Sequence, residues 1–330
     1  MYDVTALGEL LIDFAPVGAD AGHYPTLAAK PGGAPSNYLA ALAAYGAKTA
    51  LLSKVGADAF GKLLIQTLKD TGIETAGIVE DPSVFTTLAF VTLDAAGDRS
   101  FSFARKPGAD TCLRFEELQL RLIDEAKIFH FGSLSLTGQP ARETTQKAVG
   151  YAKAGGKLVT FDPNLRASLW DDLEEARTQI LWGLGRADVV KISDEEVEFL
   201  WECSEQEGAR RLLGEYGVKL AMVTMGPRGA WLKNRNAEIH TQCPQYKPID
   251  TTGAGDIFGG SAVSRILRYG KAPEELRKEE LIEIAAFAAA AASLSTLKPG
   301  GIPSVPREEE VYAAISEMSG EDGEDGAEGC

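Results

Sequence analysis

Strand-like and helix-like segments alternate through the middle of the chain, and this rhythm limits the possible folds more than any other feature. Strands are predicted at residues 127–131, 157–161, 187–192 and 219–225, with helices at 140–154, 172–184 and 205–216 between them. Strands joined through helices pair in parallel, so the pattern predicts an α/β fold whose mostly parallel sheet is covered by helices on both faces. Polar motifs follow these strands, where open α/β sheets bind ligands.

Two segments near the start of the chain differ from this rhythm. Residues 85–94 and 99–105 alternate apolar and polar side chains around A-A-G-D, which predicts a β-hairpin. Because the two strands would pair locally, we interpret them as an inserted flap with Arg105 at its end, able to reach a ligand beneath it. Residues 4–14 predict one strand, interrupted by Gly8 and Asp13.

Charge and composition exclude several classes of protein. The 330 residues carry a net charge of −15 with a pI of about 4.8, which disfavours nucleic-acid or anionic membrane surfaces. We expect no signal peptide, because the N-terminal sequence has no basic region followed by an apolar core. We expect no membrane span, because the apolar run at residues 284–297 is too short. Four cysteines without metal-ligand spacing predict free thiols in the cytoplasm. The acidic residues 319–330 predict a disordered tail.

The motif D-T-T-G-A-G-D at residues 250–256 carries the strongest chemical signal. It follows a strand-like segment at 243–249 and opens a helix, so the amides of Gly253, Ala254, Gly255 and Asp256 would form an anion site. The glycines allow a tight turn close to a ligand. Asp256 either caps the helix or deprotonates a hydroxyl that attacks the bound anion, as in phosphoryl transfer.

A second polar motif, K-P-G-G-A-P-S-N, occupies residues 30–37. Gly32 and Gly33 break the chain there, and Asn37 falls in the first turn of a helix predicted at residues 36–45. Asn37 could cap this helix or offer amide hydrogen bonds to a polyol. Asp13, earlier in the chain, is either a turn residue or an acid that reaches a ligand.

Together these motifs resemble the ribokinase-like carbohydrate kinases, also called the phosphofructokinase B family, from about residue 3 to 317. The segments A-K-I-F-H-F-G-S-L-S-L, F-D-P-N-L-R and V-K-I-S-D-E-E are similar to bacterial and plant fructokinases. The resemblance implies a ribokinase-like fold in a single domain over residues 1–318. It also implies a small inserted β-sheet lid from about residues 10–30 and 85–106, through which two copies would form a homodimer.

The resemblance also implies roles for individual residues. Asp256 would be the catalytic base on a sugar hydroxyl, and the amides from Gly253 to Asp256, including Ala254, would hold the transferred phosphoryl group. The residues expected to bind the sugar are Asp13, Gly32, Gly33, Asn37, Arg105 and Arg166. Those expected to bind ATP are Lys191, Ser193, Glu196, Thr224, Gly226, Gly229, Gly253 and Gly255. Since a carboxylate is already ionised at pH 7, Asp256 is expected to keep an ordinary pKa.

Two metal ions are implied as well. Glu196 would position Mg²⁺ through water, in a motif where Ser193 replaces the family's Asn. K⁺ would bind to a set of oxygens in two loops: the carbonyls of Asp250, Thr252, Ser295, Lys298 and Gly300, with the Ser304 hydroxyl.

The implied reaction is ATP-dependent phosphorylation of the terminal hydroxyl of fructose to fructose 6-phosphate. 2-Keto-3-deoxygluconate is an alternative substrate, because its carboxylate would suit Arg105 and Arg166. Another ribokinase-like sugar kinase, or a homologue that senses sugar without turnover, is the remaining alternative.

Overall fold

The structure is a computed structural model that describes residues 1–93 and 99–321. Its strands are β1 (Tyr2–Leu7), β2 (Leu11–Ala19), β3 (Pro25–Gly32), β4 (Thr49–Gly56), β5 (Ile78–Asp81), β6 (Leu88–Leu93), β7 (Arg99–Ala104), β8 (Ala126–Gly132), β9 (Leu158–Asp162), β10 (Val189–Ser193), β11 (Leu220–Thr224), β12 (Ala230–Asn234) and β13 (Glu238–Thr241). Its helices are α1 (Ala34–Ala44), α2 (Ala59–Asp70), α3 (Arg121–Asp124), α4 (Ala141–Ala154), α5 (Leu173–Leu184), α6 (Asp194–Trp201), α7 (Glu205–Tyr216), α8 (Ala254–Tyr269), α9 (Lys278–Ser295) and α10 (Glu308–Glu321).

The central sheet confirms the predicted α/β fold. Its strand order is β13-β12-β11-β10-β9-β8-β1-β4-β5. The strands from β11 to β5 pair in parallel, whereas β12 and β13 add an antiparallel edge. Strands such as β8 and β11 are almost wholly buried because helices cover both faces of the sheet.

A smaller sheet with the order β3-β2-β6-β7 forms the lid. The hairpin of β6 and β7 is antiparallel as predicted, and its turn at residues 94–98 lies outside the described residues. The prediction of one strand over residues 4–14 is wrong, because β1 ends at Leu7 and β2 begins at Leu11. The short turn between them carries the chain from the central sheet into the lid.

Helices α1, α8 and α9 pack together on one face of the central sheet. Glycine permits the close contact between α1 and α8, since a Cβ on Gly260 would overlap the backbone carbonyl of Tyr38. This contact brings the first turns of α1 and α8 side by side. Helices α4, α5, α6 and α7 cover the other face with a second apolar core.

Three further predictions concern the last third of the chain. Residues 243–249 form a loop instead of the strand-like segment predicted, because Pro244 and Pro248 have no amide to donate to a sheet. The apolar run predicted as a buried helix lies mainly in α9, and no helix in the described ranges is long and apolar enough to cross a membrane. The tail was predicted to begin at residue 319, whereas α10 continues to Glu321. The rest of the predicted tail lies outside the described residues.

Candidate active site

Asp256 lies in the first turn of α8 and is 8% exposed. The N-cap is Gly253, whose φ of 78° is left-handed, and a Cβ there would lie 2.9 Å from the Cα of Gly301. The amides of Gly255 and Asp256 occupy the turn in which an α-helix supplies no acceptor. The amide of Ala254, predicted to share this anion site, instead donates to the Thr251 carbonyl at 3.3 Å.

Lys191 on β10 places a positive charge against the start of α8. Its Nζ lies 2.9 Å from the position that a Cβ on Gly255 would take, and 3.1 Å from an oxygen of Asp162. Burial acts to lower the pKa of Lys191, but the carboxylates of Asp162, Glu196 and Asp256 outweigh it and raise that pKa. Asp162 was not among the predicted site residues, although it begins the segment D-P-N-L-R that ends at the predicted site residue Arg166.

Asn37 joins α1 to the proposed base. Its Nδ2 donates to an Asp256 oxygen at 2.9 Å, and its Oδ1 is buried without a partner among the described residues. Burial raises the pKa of Asp256, while the hydrogen bond from Asn37 and the charges of Lys191 and Arg166 oppose the shift. The expectation of an ordinary pKa for Asp256 is therefore wrong, since the sequence could not show how deeply the carboxyl is buried.

Asp13 lies on β2 opposite Lys30 on β3, at the base of the lid. A Cβ on Gly32 would overlap the Asp13 carboxylate, which explains the glycine at that position. Burial raises the pKa of Asp13 to about 7; the charge of Arg166 lowers it, and those of Asp256 and Asp250 raise it further. Asp13, Arg166 and Asp256 therefore lie within electrostatic reach of one another, as the sequence predicts.

Arg105 follows the lid and is buried among internal partners. Its Nε and Nη2 donate to one Asp110 oxygen at 2.9 and 2.6 Å. Nη1 donates to the Thr137 hydroxyl at 2.9 Å, and Nη2 also donates to the Leu134 carbonyl at 2.8 Å. The guanidinium thus ties the end of the lid to the loop after β8, and its contact with the sugar stays a prediction.

A cavity of about 590 Å³ opens beside Asp256. Its lining includes many of the predicted site residues: Arg166, Lys191, Ser193, Glu196, Thr224, Gly226, Gly229, Gly253, Ala254 and Gly255. The cavity is also lined by the loop at residues 243–248 and by Ala289, Ala292 and Ser293 of α9. These residues were not among the predicted site residues, because small residues on a helix give no chemical signal.

Ser193 and Glu196 form a reciprocal cap on α6. The Ser193 hydroxyl accepts from the Glu196 amide at 3.2 Å, and Glu196 Oε2 accepts from the Ser193 amide at 2.8 Å. Glu196 Oε1 accepts from the Leu165 amide at 2.6 Å, which fixes the loop that carries Arg166. Ser replaces Asn here without loss of the cap, because both residues are good N-caps.

The Asp250 carboxylate links the two loops predicted to hold K⁺. It accepts from the amides of Thr252 and Gly300, both at 2.9 Å. The Ser304 hydroxyl donates to the Gly301 carbonyl at 2.8 Å, and the Ser295 carbonyl accepts from the Lys298 amide at 3.3 Å. The structure brings these residues together, and their role toward a cation stays a prediction.

Comparison with known proteins identifies the family. The profile described as pfkB family carbohydrate kinase matches residues 1–308. The chain belongs to this family. Fructokinase-1 of Zea mays is 42% identical over 320 residues, which cover 95% of this chain and 98% of the relative. Fructokinase-1 of Oryza sativa subsp. japonica is 41% identical over 313 residues, covering 93% of this chain and 96% of the relative.

Solved pfkB-like structures share the fold. Fructokinase from Xylella fastidiosa with bound ATP superposes with a TM-score of 0.88 at 30% identity, covering 97% of this chain and 100% of the other. A double mutant of Vibrio cholerae O395 fructokinase, in the form bound to fructose, ADP and potassium ion, has a TM-score of 0.83 at 32% identity. It covers 96% of this chain and 98% of the other.

The arrangement contains the groups that phosphoryl transfer by a pfkB carbohydrate kinase needs. A carboxylate able to accept a proton lies beside helix-start amides and a lysine able to neutralise phosphate charge. Phosphoryl transfer depends mostly on such positioning and charge neutralisation.

Proposed function

We propose that the protein transfers the terminal phosphoryl group of ATP to the terminal hydroxyl of fructose, giving fructose 6-phosphate and ADP. The observation that carries this proposal is the buried Asp256 carboxylate at the start of α8, facing the cavity and held by Asn37. The similarity to two cereal fructokinases over nearly the whole chain supports fructose as the acceptor.

In this mechanism Asp256 accepts the proton of the sugar hydroxyl while the oxygen of that hydroxyl bonds to the phosphorus of the terminal phosphoryl group. The bond between that phosphorus and the bridging oxygen breaks, and ADP leaves. The amides of Gly255 and Asp256 stabilise the charge on the transferred group, and Lys191 adds a positive charge beside them. Closure of the lid would exclude water, which would otherwise accept the phosphoryl group.

The sugar would lie between the lid and the first turn of α1. Asp13 would accept hydrogen bonds from its hydroxyls, and the buried Oδ1 of Asn37 offers another acceptor. Gly32 and Gly33 would leave room for the ring, and Arg166 would donate from the other side. The pairing of Arg105 with Asp110 supports a neutral sugar, because a guanidinium already paired is a poorer partner for the carboxylate of 2-keto-3-deoxygluconate.

ATP would occupy the cavity, with its phosphates toward Lys191 and α8 and its base toward α9. Within the described residues no group of three or more His, Cys, Asp or Glu side chains is placed to hold a metal ion. This fits Mg²⁺, which keeps several waters and is held largely by substrate phosphates. Glu196 would hold its waters, and the ion would neutralise phosphate charge.

K⁺ would bind beside the anion site, between the loop at 250–252 and the loop at 295–304. Support comes from Asp250, which holds the two loops together through the amides of Thr252 and Gly300. The Vibrio cholerae fructokinase that shares the fold was solved with a potassium ion. The cation would orient the start of α8 without touching the sugar.

We propose that two copies pair through their lids. Large apolar side chains are exposed on and beside the lid strands, including Val17, Tyr24 and Phe85. Pairing would cover these side chains and the open edges of the lid sheet. The cytoplasm is the proposed compartment, supported by the free thiols of Cys112, Cys203 and Cys243.

A coupled assay for ADP release, run with a panel of sugars, tests the proposed function. We expect kcat/KM for fructose to exceed that for 2-keto-3-deoxygluconate, ribose and glucose by at least about tenfold, or about 1.4 kcal/mol of transition-state preference. A tenfold preference for 2-keto-3-deoxygluconate would contradict the fructose assignment. If the protein consumes no ATP with any of these sugars, the kinase assignment itself is contradicted.

A further inference from the structure

Glu9 lies in the short turn that joins β1 of the central sheet to β2 of the lid. The side chain is 2% exposed, and Oε1 accepts a hydrogen bond from the Ala34 amide at 2.7 Å. Burying a carboxylate costs free energy unless the group is paired or well hydrogen-bonded, so the partners of Glu9 indicate its role.

Ala34 is the first residue of α1, and this helix begins without a cap of its own. Gly33, the N-cap, has no side chain, and the first turn, A-P-S-N, contains no acid. The four leading amides of a helix lack intrahelical acceptors, and negative charge stabilises that end. Glu9 therefore supplies from a distant part of the sequence both the acceptor and the charge that α1 lacks.

Glu9 also fixes the backbone just before the helix. A Cβ on Gly33 would overlap the Glu9 carbonyl, and the Gly33 φ of 115° is left-handed. The Glu9 carbonyl and carboxylate thus contact two consecutive residues, Gly33 and Ala34. These contacts leave few other backbone conformations for the residues just before α1.

The first turn of α1 carries Asn37, whose Nδ2 donates to Asp256 at 2.9 Å. A shift of this turn would move the Nδ2 group that holds the base and the buried Oδ1 proposed above as an acceptor for the sugar. We propose that Glu9 is a positioning residue, which fixes the start of α1 so that Asn37 holds Asp256 in line with the sugar hydroxyl. Its place in the turn between the two sheets links this alignment to the base of the lid.

Charged groups around Glu9 are consistent with this role. Arg105 and Asp110 face it from the segment that follows the lid. Burial raises the pKa of Glu9 to about 7, against the opposing effects of its own amide, the Ala34 amide and Arg105, and with a further rise from Asp110. The charge on Glu9 therefore changes near neutral pH, where the alignment of α1 would change with it.

The test compares Glu9→Gln and Glu9→Ala with the unaltered chain, using fructose and ATP. Gln keeps an oxygen for the Ala34 amide and loses the charge, whereas Ala loses both. We expect Glu9→Ala to lower kcat/KM for fructose by about 10- to 100-fold, the range that corresponds to the loss of one buried charge-assisted hydrogen bond. The KM for ATP should stay within about twofold of its original value. Glu9→Gln should recover at least a third of the lost factor on a logarithmic scale, by the same reasoning.

Glu280 provides a matched control, because it is a buried glutamate whose Oε2 accepts from the Arg277 amide at the start of α9. Glu280→Ala should lower thermal stability without changing the constants for fructose. In an Asn37→Ala background, Glu9→Ala should cost less than about threefold, since both changes act on one contact. If Glu9→Ala does not fold, Glu9→Gln alone decides, with an expected loss of about 3- to 10-fold and a shifted acid limb of the pH profile.

The inference rests on the proposed function, and the two can fail separately. If the unaltered chain phosphorylates no sugar, the proposed function is contradicted. If the unaltered chain turns over normally, two results would overturn the role of Glu9. One is unchanged kinetic constants in the Glu9 variants, and the other is full additivity of Glu9→Ala with Asn37→Ala.

Discussion

Asn37→Asp is a small change that acts directly on the contact at the centre of the site. The substitution keeps the size of the side chain and replaces the Nδ2 group, which donates to an Asp256 oxygen at 2.9 Å, with a carboxylate oxygen. Both groups are buried, at 3% and 8% exposed. Two carboxylates this close cannot both ionise in a buried site, so they share a proton and the base loses its charge at neutral pH.

The magnitude follows from the lost bond and the new repulsion. A hydrogen bond to a charged group contributes about 1.5–3 kcal/mol, which corresponds to roughly 10- to 150-fold in rate. We therefore expect kcat at pH 7 to fall by at least about tenfold. The acid limb of kcat should also move upward by about one pH unit or more, since each unit corresponds to about 1.36 kcal/mol.

The assay is the pH dependence of kcat for the phosphorylation of fructose, with thermal unfolding measured in parallel. Asn234→Asp is the matched control, because Asn234 is equally buried and its Nδ2 donates to the Pro273 and Leu276 carbonyls far from the cavity. The control should lose stability and keep the pH profile of the unaltered chain. An unchanged kcat and acid limb in a folded Asn37→Asp would refute the reasoning.

Other predictions concern the sugar site, the cation and the lid. The pKa of Asp13 is raised to about 7, and its carboxylate form is the one proposed to accept sugar hydroxyls, so kcat/KM for fructose should rise with pH through neutrality. Asp13→Asn should remove that component, and a flat profile between pH 5.5 and 7.5 would contradict the proposed role. K⁺ should support faster turnover than Na⁺ at matched ionic strength, and equal rates would exclude the proposed cation role. Light scattering should give about twice the 35.2 kDa chain mass, and Tyr24→Glu beside the lid strands should lower the measured mass. A 35.2 kDa particle for the unaltered chain would contradict the dimer.

The sequence predicted the central sheet well, because its strands are continuous apolar runs separated by helices of ordinary length. It failed where the chain changes sheets. Residues 4–14 look like one apolar strand, and only the turn at Glu9 shows that β1 and β2 belong to different sheets. Local periodicity cannot reveal such a turn, since the side chains on both sides of it are buried.

The site was predicted in part for a similar reason. Motifs located Asp256 and Asn37 separately, but their hydrogen bond joins residues 219 positions apart and depends on the packing of α1 against α8. The same packing buries Asp256 and raises its pKa, which a single sequence cannot show. Arg105 was predicted to reach a ligand from its place at the end of the hairpin, and the sequence did not show that it also forms a buried ion pair with Asp110.

The central claim is that Asp256 takes the proton from the sugar hydroxyl, and turnover by Asp256→Asn tests it most directly. The amide cannot act as a base, so kcat should fall by roughly 10²–10⁴, the range usual for a general base. Calorimetric titration with ATP should show affinity within a few-fold of the unaltered chain, which separates loss of chemistry from loss of binding. Near-normal kcat in a folded Asp256→Asn that binds ATP would contradict the account.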